Sequence, residues 1–288
     1  MTRNIMQAAF LSLILTSMAV AAPPKIVVSI LPLHACVSEL TRDVTVPTLL
    51  IQPSQSPHTA QLTPTMRRHL NDADLIVYTS AALEDFLTPQ LRRLNQKACW
   101  YAMEATVPQL LQPRFQHCSH THTIDPHFWL SIANMQAFAK ALTQRLIALD
   151  PPNTQLYQRN HIHVQNRLKA LKQELTHRAL QGRFTGFTYV AYHDAYQYFD
   201  QEFGTQCLAV ITHDPHQHLR PQQVQSTLET LRQAKALFFE SQFKRISRHW
   251  PCPVDVLNPY GQECARPGLA SYEQMMYTLI ETVAKYAA

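Results

Sequence analysis

The chain has 288 residues, six cysteines and a formal charge of +5, a length that accommodates one large or two ordinary domains with complete hydrophobic cores. The positive charge is scattered rather than gathered in blocks, so nucleic-acid binding has no electrostatic track to rest on. Only five glycines occur, none in a strand-to-helix loop, and a nucleotide cofactor therefore loses its usual phosphate cradle.

The first residues read as a secretory signal: Arg3 supplies the positive start, residues 8–15 a short apolar stretch, and Ala19-Val20-Ala21 a small-residue cleavage site. That apolar run is too short to cross a bilayer, and no cysteine stands near the cleavage point to take a lipid. Removal of residues 1–21 predicts a soluble, exported monomer, most simply in a bacterial periplasm. Cysteines suit such an oxidising compartment, although six permit 15 pairings. Cys252 and Cys264 bracket Asn258-Pro259-Tyr260-Gly261 and are a candidate staple for it. No Cys-x-x-Cys occurs, which disfavours a thiolate zinc knuckle or a thioredoxin-type redox site.

From residue 25 onward, β-rich runs at 25–33, 46–51, 74–79 and 98–103 alternate with helical patterns. One helix starts at Thr63 as N-cap with Pro64 in the first helical position, which supplies an acceptor and removes an amide that would lack a partner. The alternation predicts a first α/β lobe over residues 22–134. Residues 135–181 read as purely helical. Met135, Phe138, Leu142, Leu146 and Leu149 form one apolar stripe, the Asp150-Pro151-Pro152 break ends it, and Leu156, Val164, Leu168, Leu171 and Leu175 form another. The second helix, over residues 153–181, extends roughly 42 Å at about 1.5 Å per residue and would run along two lobes as a strut that resists hinge closure. After Gly182 the alternation resumes, with strands at 187–192, 207–212, 236–240 and 254–257 and helices near Asp194, Pro221, Lys244 and Ala270. A second α/β lobe then occupies residues 182–288. The expected fold is α/β: two lobes, each a mostly parallel sheet flanked by helices, joined by a long rigid helix, with the ligand site in the cleft between them.

Three histidines, His58, His127 and His193, each follow an apolar run in the segments Ser56-Pro57-His58, Asp125-Pro126-His127-Phe128-Trp129-Leu130 and Tyr192-His193-Asp194-Ala195-Tyr196. Ligands of open α/β sheets bind beyond the carboxyl ends of strands, and all three fall in such positions, two from the first lobe and one from the second. Neutral imidazoles converging from separate segments suit a divalent transition metal, zinc above all. Asn258, in the corresponding position near the end of the second lobe, is a possible fourth ligand, and water or a loop histidine are others. Glu240, closing an apolar strand, is a possible acceptor that orients His193. Trp129 and Tyr196 are read as walls of the site. His117, His120 and His122 form a possible auxiliary metal patch, and His213, His216 and His218 form a second, with a solvated polar loop as the competing reading of each.

The segments Ser56-Pro57-His58, Asp125-Pro126-His127-Phe128-Trp129-Leu130, His193-Asp194-Ala195-Tyr196-Gln197-Tyr198-Phe199 and Phe239-Glu240-Ser241-Gln242-Phe243 resemble, in order and spacing, the zinc-specific metal-binding proteins that serve ABC importers, the ZnuA type. The resemblance covers nearly all of the mature chain. It implies two α/β lobes on a long rigid helix, Zn2+ bound between them by His58, His127 and His193, and delivery to an inner-membrane ABC permease with its ATPase. Manganese-binding relatives carry a glutamate in the third position, so His193 favours Zn2+ over Mn2+. The chain departs from the family at Asn258, where Asp is common, and in the reduction of a long histidine-rich insertion to His117-Cys118-Ser119-His120-Thr121-His122.

Two other functions use the same residues. Three histidines with an open fourth position also hold hydrolytic zinc, with Glu240 as the base. Against a zinc-dependent hydrolase, there is no His-Glu-x-x-His helix, and no carboxylate adjoins the histidines as an evident general base. A metal-linked adhesin or a metallochaperone leaves no readable motif and is separated from transport only by its partner.

Overall fold

The computed structural model describes residues 22–53, 55–81, 83–94, 99–102, 111–114, 124–212, 221–241, 250–261, 263–264 and 266–287. The expected signal peptide, the helix expected near Lys244 and all six histidines of the two auxiliary patches lie outside these residues.

The first lobe is a four-stranded parallel sheet of β1 (Ile26–Val28), β2 (Thr48–Leu49), β3 (Leu75–Tyr78) and β4 (Cys99–Tyr101), in the order β2-β1-β3-β4. Among the described residues its helices are α1 (Leu31–Leu40), α2 (Pro64–Asp72) and the single turn α3 (Thr88–Leu91). Thr63 caps α2 as expected, its hydroxyl accepting the Met66 amide at 3.2 Å. The strand expected over 25–33 is shorter. It ends at Val28, and a helix with Pro32 in its first turn begins at Leu31. A fixed proline φ and a missing N–H suit a helix start, and this outweighs the apolar run that suggested a continuing strand.

Helices α4 (Ile132–Leu149) and α5 (Thr154–Gln181) follow, separated by a turn of 3-10 helix at Pro151–Asn153. The second lobe is again a four-stranded parallel sheet, of β5 (Thr188–Ala191), β6 (Gln206–Val210), β7 (Ala236–Phe239) and β8 (Val254–Val256), in the order β6-β5-β7-β8. Helix α6 (Gln197–Phe203) follows β5, α7 (Pro221–Gln233) follows β6, and α8 (Leu269–Ala287) closes the chain. In sequence order both sheets run second-first-third-fourth, a kinship that no sequence repeat announced.

The 28 residues of α5 bury one face, Tyr157, Asn160, Val164, Leu168, Leu171, Leu175 and Ala179. It packs on α1, α4 and α8. Asn160, wholly buried, donates to the carbonyls of Leu40 at 3.1 Å and Arg42 at 2.8 Å, satisfying acceptors that the end of α1 leaves open. Farther along, Arg167 bridges Glu39 of α1 and Glu273 of α8, and Lys172 reaches Glu202 of α6 at 2.9 Å. The strut is thus fastened to both lobes. One continuous apolar core joins the inner faces of the two sheets through these helices, and smaller cores cover the outer faces.

Cys252 and Cys264 are free thiols, which corrects the expected staple. The reason lies in the sheet: Cys252 packs with Val190, Leu237 and Trp250 on its outer face, whereas Cys264 belongs to the core on its inner face. Among the described residues Cys36, Cys99 and Cys207 are free as well.

Candidate metal centre

In a sheet ordered second-first-third-fourth, the connections leaving the first and third strands diverge and open a crevice at their carboxyl ends. In the second lobe those strands are β5 and β7, and the next residues include His193, two past β5, and Glu240, one past β7. Their side chains meet, with His193 Nδ1 2.9 Å from Glu240 Oε1 and both residues buried. In the first lobe the equivalent crevice is closed by Glu84, whose buried carboxylate accepts from the Ser29 hydroxyl at 2.5 Å and the amides of Thr79 and Ser80 at 3.2 Å and 2.9 Å.

The first lobe contributes His58 from the loop between β2 and α2, where the Ser56 hydroxyl accepts the His58 amide at 3.3 Å. His127 stands at the entry to a turn of 3-10 helix, Phe128–Leu130, that leads into α4. It does not directly follow a strand, contrary to the expectation. The start of the helical section holds it instead. Asp125 fixes the ring, its Oδ1 accepting the His127 amide at 3.0 Å and lying 2.8 Å from Nδ1.

An ionised carboxylate only accepts, so Nδ1 of both His127 and His193 carries the proton and the lone pair of each ring is on Nε2, the nitrogen that can bind a cation. The ligand atoms of His58, His127 and His193 all lie within 4.8 Å of one another, with His127 and His193 buried and His58 half-buried. The ring centroids stand 5.9 Å (His58–His127), 4.7 Å (His58–His193) and 5.3 Å (His127–His193) apart. Two donors at about 2.0–2.1 Å from one zinc ion are at most about 4.2 Å apart, so the widest separation needs only a small side-chain adjustment. Burial works to lower the His193 pKa, but the hydrogen bond and charge of Glu240 outweigh it and hold the ring above its ordinary value. The donor set of three neutral imidazoles, two of them oriented by carboxylates, fits a borderline-soft divalent ion.

The Asn258 side chain is tied into the loop that carries Tyr260. Its amide oxygen accepts the Tyr260 amide at 3.0 Å, and the amide nitrogen donates to the Ser241 hydroxyl at 3.0 Å. The Tyr260 hydroxyl reaches the histidines, 3.0 Å from His58 Nε2 and 3.2 Å from His127 Nε2. Trp129 lies beneath, its indole N–H donating to the Pro259 carbonyl at 2.7 Å and its ring 5.2 Å from His127 and 5.7 Å from Tyr260. Tyr196 is fully buried and donates to the Leu257 carbonyl at 2.5 Å. Trp129 thus borders the centre, while Tyr196 is anchored to the backbone just ahead of Asn258.

Sequence reasoning missed Asp125 and Tyr260. For Asp125 the signal was present: an Asp two residues ahead of a histidine is placed to bond that residue's backbone and ring. Tyr260 had no signal, because its approach to His58 spans 202 positions of chain.

The chain matches the family model described as "ZnuA: Zinc-uptake complex component A periplasmic" over residues 26–286. It is 25% identical over 305 aligned positions to the high-affinity zinc uptake system protein ZnuA of Brucella abortus (strain 2308), with 90% of each chain covered. Among solved structures, it is similar to a crystal structure of ZnuA with a TM-score of 0.76 at 20% identity, covering 92% of this chain and 100% of that one. It is also similar to the periplasmic zinc binding protein TroA from Treponema pallidum, with a TM-score of 0.74 at 20% identity over 92% and 99% of the two chains. Two parallel α/β lobes on a long helix, with three histidines gathered at their junction and a family match running nearly from end to end, place this chain in the ZnuA family.

Proposed function

We propose that this protein captures Zn2+ between its lobes and hands it to an inner-membrane ABC permease driven by an ATPase. The observation that carries the reading is the convergence of His58, His127 and His193, whose ligand atoms lie within 4.8 Å of one another. His58, His127 and His193 bind the ion, and Asp125 and Glu240 set the orientation of the second and third rings. In this reading the histidine at position 193, where manganese-binding relatives carry a carboxylate, selects Zn2+ over Mn2+ by its softer nitrogen. The role is carriage rather than catalysis. Glu240 lies against His193 Nδ1, which supports its use as an orienting group and not as the base of a hydrolase.

The mature chain works in the periplasm, exported by the signal in residues 1–21, with residues 22–134 and 182–288 as its lobes and 135–181 as the connection. Among the described residues no helix is long and apolar enough to cross a membrane. Native mass spectrometry of the mature protein with Zn2+ and Mn2+ in competition tests the reading. One tightly held zinc per chain is expected. Retention of manganese in preference, or of no metal, would overturn it.

A further inference from the structure

The three histidines leave a fourth position on a tetrahedral ion, and one oxygen stands beside two of them. Donors at about 2.0–2.1 Å from such an ion stand about 3.3 Å from one another. The Tyr260 hydroxyl is 3.0 Å from His58 Nε2 and 3.2 Å from His127 Nε2, the separations of neighbouring vertices of one coordination tetrahedron. Three features hold it there. The Asn258 side chain accepts the Tyr260 amide, the buried Trp129 ring packs on its ring, and Gly261 follows it with a φ of +66°, a conformation that side-chain-bearing residues rarely adopt. Tyr260 is itself only 3% exposed, so its hydroxyl is directed into the site and away from bulk water.

We infer that the Tyr260 oxygen is the fourth donor to the captured ion, closing the site against water and external ligands. Asn258 then acts by positioning the turn that presents Tyr260. The inference rests on the three-histidine reading and deepens it. A closed shell suits a carrier, since an ion with no exchangeable position has nowhere to bind and activate a water.

The test compares the full mature chain with Tyr260→Phe, using Co2+ as a visible probe of the zinc site and azide as a probe for an open position. Wild type should give a four-coordinate Co2+ spectrum that azide leaves unchanged. Tyr260→Phe should keep metal binding, show an azide-dependent spectral shift, and lose zinc affinity by about tenfold or more, a loss at least that of removing an outer-shell partner. A second measurement needs no variant: zinc added to wild type should perturb a tyrosine band in the near-ultraviolet difference spectrum. Equal azide responses in the two proteins, unchanged zinc affinity in Tyr260→Phe, or no tyrosine perturbation would overturn the assignment while leaving the three-histidine site intact. Failure of wild type to bind either metal would overturn the three-histidine reading itself, and this inference with it.

Discussion

The Glu240 carboxylate stands 2.9 Å from Nδ1 of His193, although 47 positions separate the two residues in the chain. They meet because β5 and β7 are neighbours in the sheet and both release the chain at its carboxyl edge. A carboxylate on Nδ1 fixes the tautomer, aims Nε2 and raises its basicity. Glu240→Gln should therefore lower zinc affinity about 10–100-fold. Competition with a chromophoric chelator measures this, and an affinity equal to wild type would remove Glu240 from the site.

Loss of a ligand is more severe than loss of its support. His58→Ala, His127→Ala and His193→Ala should each weaken zinc binding by more than Glu240→Gln does, as read by calorimetry on the mature chain. Exposed His69 provides the control, since His69→Ala should bind as wild type. Wild-type affinity in all three ligand variants would rule out the site.

Arg114 donates to Asp194, next to His193, at 2.7 Å, and to Asp200 at 2.5 Å. Burial raises the Asp200 pKa, and the arginine opposes that rise. Replacing the partly buried guanidinium removes the cationic partner of both carboxylates, leaving Asp200 with the neutral donors Tyr189, Thr205 and the Cys207 amide, and breaking such a pair from one side costs on the order of 3 kcal/mol. Arg114→Met should show that loss in urea unfolding. A change below about 0.5 kcal/mol, the scale of a plain surface substitution, would show that the pair is not needed.

Acid should weaken the fold through His34. Burial lowers its pKa below 6.5, although its Nε2–H donates to the Pro47 carbonyl at 3.0 Å. A group whose folded pKa is depressed contributes stability above its unfolded value and loses it as pH falls through the folded one. Stability should drop on acidification below pH 6.5, and His34→Gln should make the decline shallower. Urea midpoints at a series of pH values, compared between the two proteins, decide it. An equal slope in the variant would assign the effect to other groups.

The strut should behave as core rather than as a linker. Leu168 is fully buried on α5, within the apolar cluster that reaches both sheets. Leu168→Ala should cost about 2–5 kcal/mol, the range for emptying such a site. Because the core is continuous, fluorescence and circular dichroism should report one coincident transition. Two separated transitions would show lobes that unfold independently.

Much of this protein was legible in its residues. The alternation of β-rich and helical runs, the Thr63-Pro64 helix start and the apolar stripe of α5 are periodicities and caps within one segment, and local chemistry dictates them. The three histidines were singled out by residue type, with the post-strand position holding for His193 and not for His127, and Glu240 was singled out by its place at a strand end. Errors arose where a short-range pattern had two outcomes. The run at 25–33 contained Pro32, which starts a helix, and Cys252 and Cys264 were close in sequence but belong to cores on opposite faces of a sheet.

What the sequence by itself determined is the set of elements and the donor chemistry, since hydrophobic period, capping residues and imidazole nitrogens act within a few residues of one another. Tertiary structure alone decided which side chains meet: the pairing of Glu240 with His193, and the arrival of Tyr260 between His58 and His127 from 202 and 133 positions away. Those meetings depend on strand order and on the packing of the lobes along α5, which distribute contact over the whole chain and leave no mark in any single segment.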